Sequence, residues 1–288
     1  GFITGRCNIC KIINSYYKDI LNQVKSLSKK VNFTFFILYD LNFLNTKKED
    51  FYKINPEVHE NIKIKYLSPD YVTNLKKEVS EKYNLDQSEV DLILGKGYAK
   101  ARNSIMYEAL SENIDYLLFW DDDEYPLAAI EDGKNIKWVK QNNVLQHIKN
   151  IENVDITYGY RCGFINPLPT VEYNDTITED IYHKFIDAIE NEVVSWDKVQ
   201  RIQKEDLGIG FANKEIANYT AKNIEMTDIG RTQFVLGSGI CLNLTHLDKI
   251  PAFYTPPEAR GEDTFFSCSL RETGAKILRI PVYHFHDA

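Results

Sequence analysis

The sequence is poor in cysteine, in positive charge and in long apolar runs, and each shortage argues against a class of protein. Five cysteines, an odd number spread over 288 residues, argue against a disulfide-stapled secreted domain and favour reduced thiols. The 42 acidic residues outnumber the 34 basic ones, and the net charge of −8 argues against a general nucleic-acid or anionic-membrane surface. No apolar run approaches the length of a membrane span, and no signal peptide is visible. We therefore expect a cytoplasmic protein without a transmembrane segment. Any association with the inner membrane would be peripheral.

The apolar content is sufficient for one large α/β domain or two small ones, since 43% of the residues are hydrophobic. A minimal strand at 2–4 precedes a helical pattern from about 8 to 30. A buried strand follows at 33–39 and ends at Asp40, and an alternating edge strand follows at 62–66. This β-α-β opening predicts a nucleotide-binding α/β fold with a mostly parallel central sheet flanked by helices.

The most informative stretch is a short apolar run, Tyr116 to Trp120, that ends in four acids. The run is continuous rather than alternating, which predicts a strand buried on both faces. Asp121, Asp122, Asp123 and Glu124 then lie at its carboxyl end, where open α/β sheets place their ligands. Four adjacent carboxylates repel one another unless a cation or solvent offsets the charge. The hypothesis is a site where Mg²⁺ or Mn²⁺ binds one or two carboxylates and a diphosphate; the alternative is a solvated acidic turn.

A pair of glycines, Gly95 and Gly97, opens a helix that continues to a stop at Asn113. Glycines before a helix allow close approach of the backbone to a phosphate or a sugar. In the first turns of this helix, Arg102 could hold a diphosphate or organise the acids, and Asn103 could bond a hydroxyl. The alternative is an ordinary helix-entry loop with a solvated arginine.

The middle of the chain is less informative. A helix is predicted at 138–151 and a strand at 155–160, and a proline-rich turn at 161–169 ends the first half. From 170 to 230 the pattern is polar and helical, which predicts an insertion that either forms a lid with a role in acceptor specificity or simply packs on the domain. Its expected apolar anchors are Ile181, Phe185, Ile189 and Trp196.

In the last part of the chain, a strand at 234–242 is interrupted by Gly237-Ser238-Gly239. Glycine within a strand indicates close approach of a ligand or another backbone, or a β-bulge. Glu262 and Asp263 then begin a helix that ends at Gly274, a position where helix capping is the alternative to a catalytic role.

Two pairs of potential metal or redox groups lie near the chain ends. A last strand at 276–280 precedes His284 and His286, which point the same way if the backbone is extended and could ligate a metal. A solvated tail is the alternative. Cys7 and Cys10 form a Cys-x-x-Cys with a potential redox or zinc role, although inert thiols are favoured because a second cysteine pair is absent.

In their order and spacing, four of these pieces resemble the GT-A glycosyltransferases, most closely the family 2 type. The pieces are the β-α-β opening with Asp40, the Gly97–Asn103 segment, the acidic segment from Phe119 to Pro126, and Gly261-Glu262-Asp263 followed by a helix, a strand and a histidine. The 170–230 segment has no counterpart, and the Cys-x-x-Cys stands where the family usually has Asn or Arg.

The resemblance implies roles for individual residues. Asp123 would ligate the metal directly, with Asp121 beside the ribose or the metal and His284 or His286 completing the shell. Asp263 would be the catalytic base, with Glu262 beside it. The residues expected around the nucleotide are Thr4, Arg6, Asp40, Lys96, Arg102, Asn103, Asp121 and Asp122. The chain would divide into a nucleotide-sugar-binding half at 1–169, the insertion at 170–230 and an acceptor-side half at 231–288.

The expected activity is transfer of a sugar, with inversion, from a uridine or guanosine diphosphate sugar to a hydroxyl-bearing acceptor, using Mn²⁺ or Mg²⁺. The acceptor could be a glycan, a lipid-linked molecule or a small molecule. Three alternatives stay open at this point: a Mg²⁺-dependent phosphohydrolase, a nucleotidyltransferase, and a non-catalytic sugar- or metal-binding module. A nucleotidyltransferase would need a glycine-rich basic loop after its first strand, and Thr4-Gly5-Arg6 matches such a loop poorly.

Overall fold

The chain folds as an α/β protein in a computed structural model. The structure describes residues 1–25, 27, 31–42, 44, 46–164, 173–188, 195–197, 199–200, 209–226, 235, 237–256 and 261–287. The predicted α/β class is confirmed, and the strands form a parallel sheet, a mixed sheet and a hairpin.

The opening sheet consists of β1 (Phe2–Thr4), β2 (Thr34–Tyr39) and β3 (Lys63–Leu67), all parallel and in that order. Helix α1 (Ile9–Val24) connects β1 to β2 and buries its apolar stripe, because its isoleucines and tyrosines recur at helical spacing. A 3₁₀ turn, Lys48–Tyr52, and α2 (Pro56–Asn61) connect β2 to β3. The predicted β-α-β opening is therefore confirmed.

Three helices lead from this sheet to the acidic segment. They are α3 (Pro69–Tyr83), α4 (Gln87–Ile93) and α5 (Tyr98–Ser111). The side chain of Ser68 caps α3 by accepting a hydrogen bond from the N–H of Tyr71. As predicted, α5 begins directly after Gly97.

Strand β4 (Tyr116–Phe119) ends at the acids, and one of its faces is buried while the other, which was also predicted to be buried, is buried only in part. Leu117 and Phe119 are buried, whereas Tyr116 is 37% exposed. Trp120 forms a parallel bridge with Phe2, and its N–H donates to the carbonyl of Gly1. The chain after β4 therefore runs parallel to β1, so the acids lie beside the carboxyl end of β1 at Thr4.

The second sheet is mixed, so the prediction of a mostly parallel central sheet is wrong here. Its further strands are β5 (Glu124–Tyr125), β8 (Ile156–Phe164), β9 (Ile209–Gly210), β10 (Ile224–Met226), β11 (Ile240–Asn243) and β12 (Ile277–His286). The main path runs β10-β12-β8-β11-β4, while β5 pairs with β12 and β9 with β8. Strand β11 is antiparallel to both β4 and β8, whereas β12 is parallel to β8.

A hairpin of β6 (Leu127–Asp132) and β7 (Asn135–Lys140) occupies part of the stretch predicted as a helix at 138–151. Helix α6 (Asn143–Ile151) begins only after the hairpin, and Trp138 lies in β7. The signal for the hairpin was the Asp132-Gly133 dipeptide, which favours a tight turn between strands.

Strand β12 continues well past the predicted end at residue 280 and includes both histidines. Pro281 lacks the N–H that a ladder requires. The pairing with β8 shifts register between Arg279 and Tyr283, which accommodates the proline. The expected alternative of a solvated tail is therefore wrong, since His284 and His286 are both buried.

The 170–230 segment contains α7 (Glu179–Ala188) and α8 (Lys214–Ala217) in its described part. The predicted anchors of α7 are displaced by one residue, because Ile181 and Phe185 are more than half exposed while Tyr182 and Ile186 are buried. The predicted anchor Ile189 lies outside the described residues.

Only the end of the strand predicted at 234–242 is seen as a strand in the described residues, because its hydrogen-bonded ladder begins at Ile240. Residues 237–239 form a bend before it, and residues 234 and 236 lie outside the described residues. A 3₁₀ turn, Leu244–Lys249, follows β11. Helix α9 (Glu262–Thr273) begins and ends as predicted.

The core lies on both sides of β4. One cluster packs Phe119 and Tyr158 against α5 and α9, and another packs Trp120 and Tyr16 of α1 against the opening sheet. The sheets join strands from all three predicted segments, and the division at 169 and 230 stays a prediction. Among the helices of the described part of the chain, none combines the length and the apolarity needed to cross a membrane.

Candidate functional site

A cleft of about 1020 Å³ opens where the carboxyl ends of β1, β2 and β4 meet the amino ends of α5 and α9. Every predicted site residue except Asn103 and His284 lines it. These residues are Thr4, Arg6, Asp40, Lys96, Arg102, Asp121, Asp122, Asp123, Glu262, Asp263 and His286. Residues far apart in the sequence are thus brought together around one cavity.

The acidic wall of the cleft, residues 121–124, is held against the end of β1. The hydroxyl of Thr4 donates to Asp122 Oδ2 at 2.5 Å, and Arg6 Nη1 donates to Asp123 Oδ2 at 2.8 Å. Burial raises the pKa of Asp122 to about 6, and the neighbouring charges of Asp123 and Asp121 also raise it. The wall therefore carries a carboxylate whose negative charge is only partly offset by the protein.

Asp123 faces His286, whose Nε2 lies 3.6 Å from Asp123 Oδ2. Burial acts to raise the pKa of Asp123, but the contacts with His286 and Arg6 outweigh it and lower that pKa below its usual value. The Nδ1 of His286 lies 2.5 Å from the carbonyl oxygen of Phe164, which can only accept, so Nδ1 carries a proton. This contact orients the ring and turns Nε2 toward Asp123. Burial acts to lower the pKa of His286, but the contacts with Asp123 and the Phe164 carbonyl outweigh it and raise that pKa, so Nε2 would ligate a metal only after losing its proton.

Arg102 connects the glycine-initiated helix α5 to the acidic wall. Its side chain is 3% exposed, and its guanidinium lies over the rings of Phe119 and Phe253. Nη2 lies 3.4 Å from Asp121 Oδ1, and Nε lies 3.5 Å from Glu262 Oε1. Arg102 thus organises acids from two distant parts of the chain, one of the two roles anticipated for it.

Glu124, the last residue of the wall, is fully buried and does not line the cleft, and it contacts two residues that the sequence prediction missed. It accepts a hydrogen bond from the hydroxyl of Ser238, and its Oε1 lies 3.1 Å from Arg161 Nε. The hydroxyl oxygen of Ser238 in turn accepts from the N–H of Asp121 at 3.0 Å. Burial raises the pKa of Glu124 to about 7, against the opposing effect of Arg161. Arg161 was missed because it was placed in a turn rather than in β8.

Glu262 and Asp263 lie at the amino end of α9 and line the same cleft as the end of β1. Asp263 Oδ1 accepts from the N–H of Thr264 at 2.9 Å, so helix capping accounts for one of its oxygens. Burial raises the pKa of both carboxyl groups. A raised pKa makes a carboxylate a stronger proton acceptor once it is ionised.

Asn103 has a structural role rather than the predicted contact with a nucleotide. Its Nδ2 donates to the carbonyls of Ile93 and Phe253, and its Oδ1 accepts from the N–H of Phe253. The side chain is buried and directed away from the cleft, where it fixes α5 to the loop before α9.

His284 is also separated from the acids, so the two histidines do not act as a pair toward Asp123. It is fully buried, and its Nδ1 lies 3.1 Å from Asn143 Nδ2. Its ring packs beneath Gly239. Only His286 of the pair lies beside the predicted metal ligand.

Within the described part of the chain, no three His, Cys, Asp or Glu side chains converge as a preformed metal-binding group. Mg²⁺ commonly takes one or two carboxylates and completes its shell with phosphate oxygens and water. Asp123 and the oriented Nε2 of His286 fit such a partial set. No protein-family model matches the chain, and no curated protein matches it significantly.

Proposed function

We propose that this chain is a metal-dependent glycosyltransferase with a GT-A fold, which moves a sugar from a nucleotide diphosphate sugar to a hydroxyl acceptor. The observation that carries the proposal is the single cleft lined by the acidic wall, Arg102 and Asp263. Each of these came from a separate part of the sequence resemblance.

The charge distribution of the cleft suits a ligand with distinct parts. The acids lie at the end of β4 and the start of α9, and the lining of the cleft also includes Lys76, Lys96 and Lys100, which we call its rim. Asp40 lies on this rim, with its Oδ1 3.9 Å from Lys96 Nζ. We assign the nucleotide to the rim and the sugar to the space between the acidic wall and α9.

Asp123 and His286 would hold the divalent cation, which would offset the charge that develops on the departing diphosphate. The carboxylate of Asp121 accepts from Arg102, and its backbone N–H donates to Ser238, so we assign Asp121 to the sugar or ribose rather than to the metal shell. Arg102 adds fixed positive charge beside Asp121.

Asp263 would remove the proton from the attacking acceptor hydroxyl. In this step the oxygen of the acceptor bonds to the anomeric carbon, the bond from that carbon to the diphosphate breaks, and the hydroxyl proton passes to Asp263. Attack from the face opposite the leaving group inverts the configuration. Glu262 contacts Arg102, which leaves Asp263 as the stronger candidate for the base.

The test is turnover of a panel of uridine and guanosine diphosphate sugars with Mn²⁺ and mixed hydroxyl acceptors, measured as free nucleotide diphosphate. We expect Asp263→Asn to lower turnover by about 10²–10³-fold while preserving donor-induced thermal stabilisation. Asp123→Ala should abolish both turnover and the Mn²⁺ dependence of stabilisation. The matched control is Asp248→Asn, at a carboxylate that is 77% exposed, which should change neither.

Near wild-type transfer by Asp263→Asn would contradict the base assignment. Phosphate release from simple esters, without use of nucleotide sugars, would favour a phosphohydrolase instead. Saturable binding of sugar nucleotides with no turnover across the acceptor panel would favour a binding module.

A further inference from the structure

The Cys-x-x-Cys pair lies at the start of α1, immediately after Arg6. Cys7 is exposed, whereas Cys10 is buried in the second position of the helix. The N–H of Cys10 donates to the carbonyl of Cys7 at 3.4 Å, so residues 7–10 form a hydrogen-bonded turn. The ends of such a turn have Cα atoms less than about 7 Å apart, and disulfides span about 4.4–6.8 Å. The backbone is therefore already close to the geometry that a disulfide requires.

The surroundings of the two sulfur atoms differ, because Cys7 is exposed whereas burial raises the pKa of the Cys10 thiol. Both lie near the amino end of a 16-residue helix, where negative charge is stabilised. The ammonium group of Lys53 interacts electrostatically with both thiols. The Cys10 thiol is held by donation to the carbonyl of Asp50 at 3.3 Å, whereas Cys7 is accessible to reagents in solution.

A structural zinc site does not explain the pair. Such sites use four ligands, usually cysteine and histidine. In the segments that the structure covers, no third His, Cys, Asp or Glu joins two others in a potential metal cluster. An accessible cysteine next to a buried partner is instead the arrangement of an attacking thiol and a resolving thiol.

We propose that Cys7 and Cys10 form a reversible intramolecular disulfide. The Cys7 thiolate attacks one sulfur of a small disulfide such as glutathione disulfide, forms a mixed disulfide and releases one glutathione thiolate. The Cys10 thiolate then attacks the sulfur of Cys7 and releases the second glutathione. The protein loses two electrons and two thiol protons, and these protons end on the two glutathione thiols.

The test uses the intact folded protein equilibrated in glutathione redox buffers, quenched with acid, alkylated with N-ethylmaleimide and digested with trypsin. Cleavage after Arg6 and Lys11 yields one peptide, residues 7–11, that contains both cysteines. We expect that peptide to lose both alkylation sites, to become lighter by two hydrogens, and to regain both sites after dithiothreitol. The Cys7→Ser variant should keep Cys10 alkylated in every buffer.

The matched control is Cys268→Ser, which removes the other exposed cysteine and should leave oxidation of the 7–11 peptide unchanged. A peptide that stays doubly alkylated across the whole buffer series would overturn the proposal. A peptide that carries glutathione on Cys7 without progressing to the internal disulfide would also overturn it.

Discussion

Replacing Gly239 with alanine tests whether the last strand packs beneath the turn that supports the acidic wall. Gly239 has a φ of +65°, and a Cβ at this position would lie 1.8 Å from His284 Cε1. The turn cannot easily move away, because the N–H of Gly239 donates to Phe119 and its carbonyl accepts from Gly159. The His284 ring is enclosed as well, since it contacts Asn143 and lies close to Gly159.

The expected cost has two parts. A left-handed conformation costs an L-residue about 1–2 kcal/mol, and overpacking a buried site costs about 1–3 kcal/mol more. Gly133 separates the two, because its φ is +63° but nothing lies within 4 Å of its Cβ position. Gly133→Ala should therefore show the backbone cost alone.

The assay is thermal unfolding of both variants under identical conditions. Each kcal/mol lowers Tm by about 2–4 °C in a domain approaching this size. Gly133→Ala should therefore lose a few degrees, and Gly239→Ala about twice as many. In a double-mutant cycle, His284→Ala should cost less in the Gly239→Ala background than in the wild type. Equal losses from the two glycine variants would refute the packing of His284 beneath the turn.

Two further predictions follow from buried polar groups. Asn103→Ala should lower the free energy of unfolding by about 2–4 kcal/mol in a urea titration, because two carbonyls and the N–H of Phe253 lose their partner in the interior. The control is Asn61→Ala, which removes one exposed hydrogen bond and should change the free energy of unfolding by no more than about 0.5 kcal/mol. Burial raises the pKa of Glu124 in the folded state from 4.5 to about 7, so between these pH values the folded state holds a proton that the unfolded state releases. The stability of the wild type should therefore fall as the pH rises from 4.5 to 7, and Glu124→Gln should flatten this decline. Parallel pH profiles of wild type and Glu124→Gln between pH 4.5 and 7 would contradict this assignment.

Much of the first half of the fold could be predicted from the sequence because its signals are local. The apolar spacing of α1 and the continuous run before Asp40 each define one element without reference to the rest of the chain. The same holds for α5 and α9, whose starts after Gly97 and Gly261 are confirmed. Site residues at the ends of such elements converged for the same reason, since carboxyl ends of neighbouring strands share one edge of a sheet.

The parts that failed depend on distant partners. Pro281 reads as a strand breaker, and only the register shift against β8 shows that β12 continues to His286. The antiparallel direction of β11 is set by its pairing with β4 and β8, which no local pattern encodes. Arg161 and Ser238 were missed because their significance lies in Glu124, a residue distant from both in the sequence.

The balance of charge around the cleft explains why a diphosphate ligand would need a cation. The acids of the wall and of α9 are Asp121, Asp122, Asp123, Glu124, Glu262 and Asp263, and the arginines among them are Arg6, Arg102 and Arg161. Each of these arginines already contacts at least one carboxylate, so acids remain in excess. Two like charges 4 Å apart near a protein surface repel by about 4 kcal/mol at an effective dielectric constant of 20. A diphosphate placed against this wall would be repelled by the carboxylates that no arginine offsets, and a divalent cation held by Asp123 and His286 would counter that repulsion. Under the proposed function, the acidic wall would therefore bind a metal–diphosphate complex rather than the free anion. Burial is the main cause of the raised pKa of Asp122, and the charges of Asp123 and Asp121 raise it further.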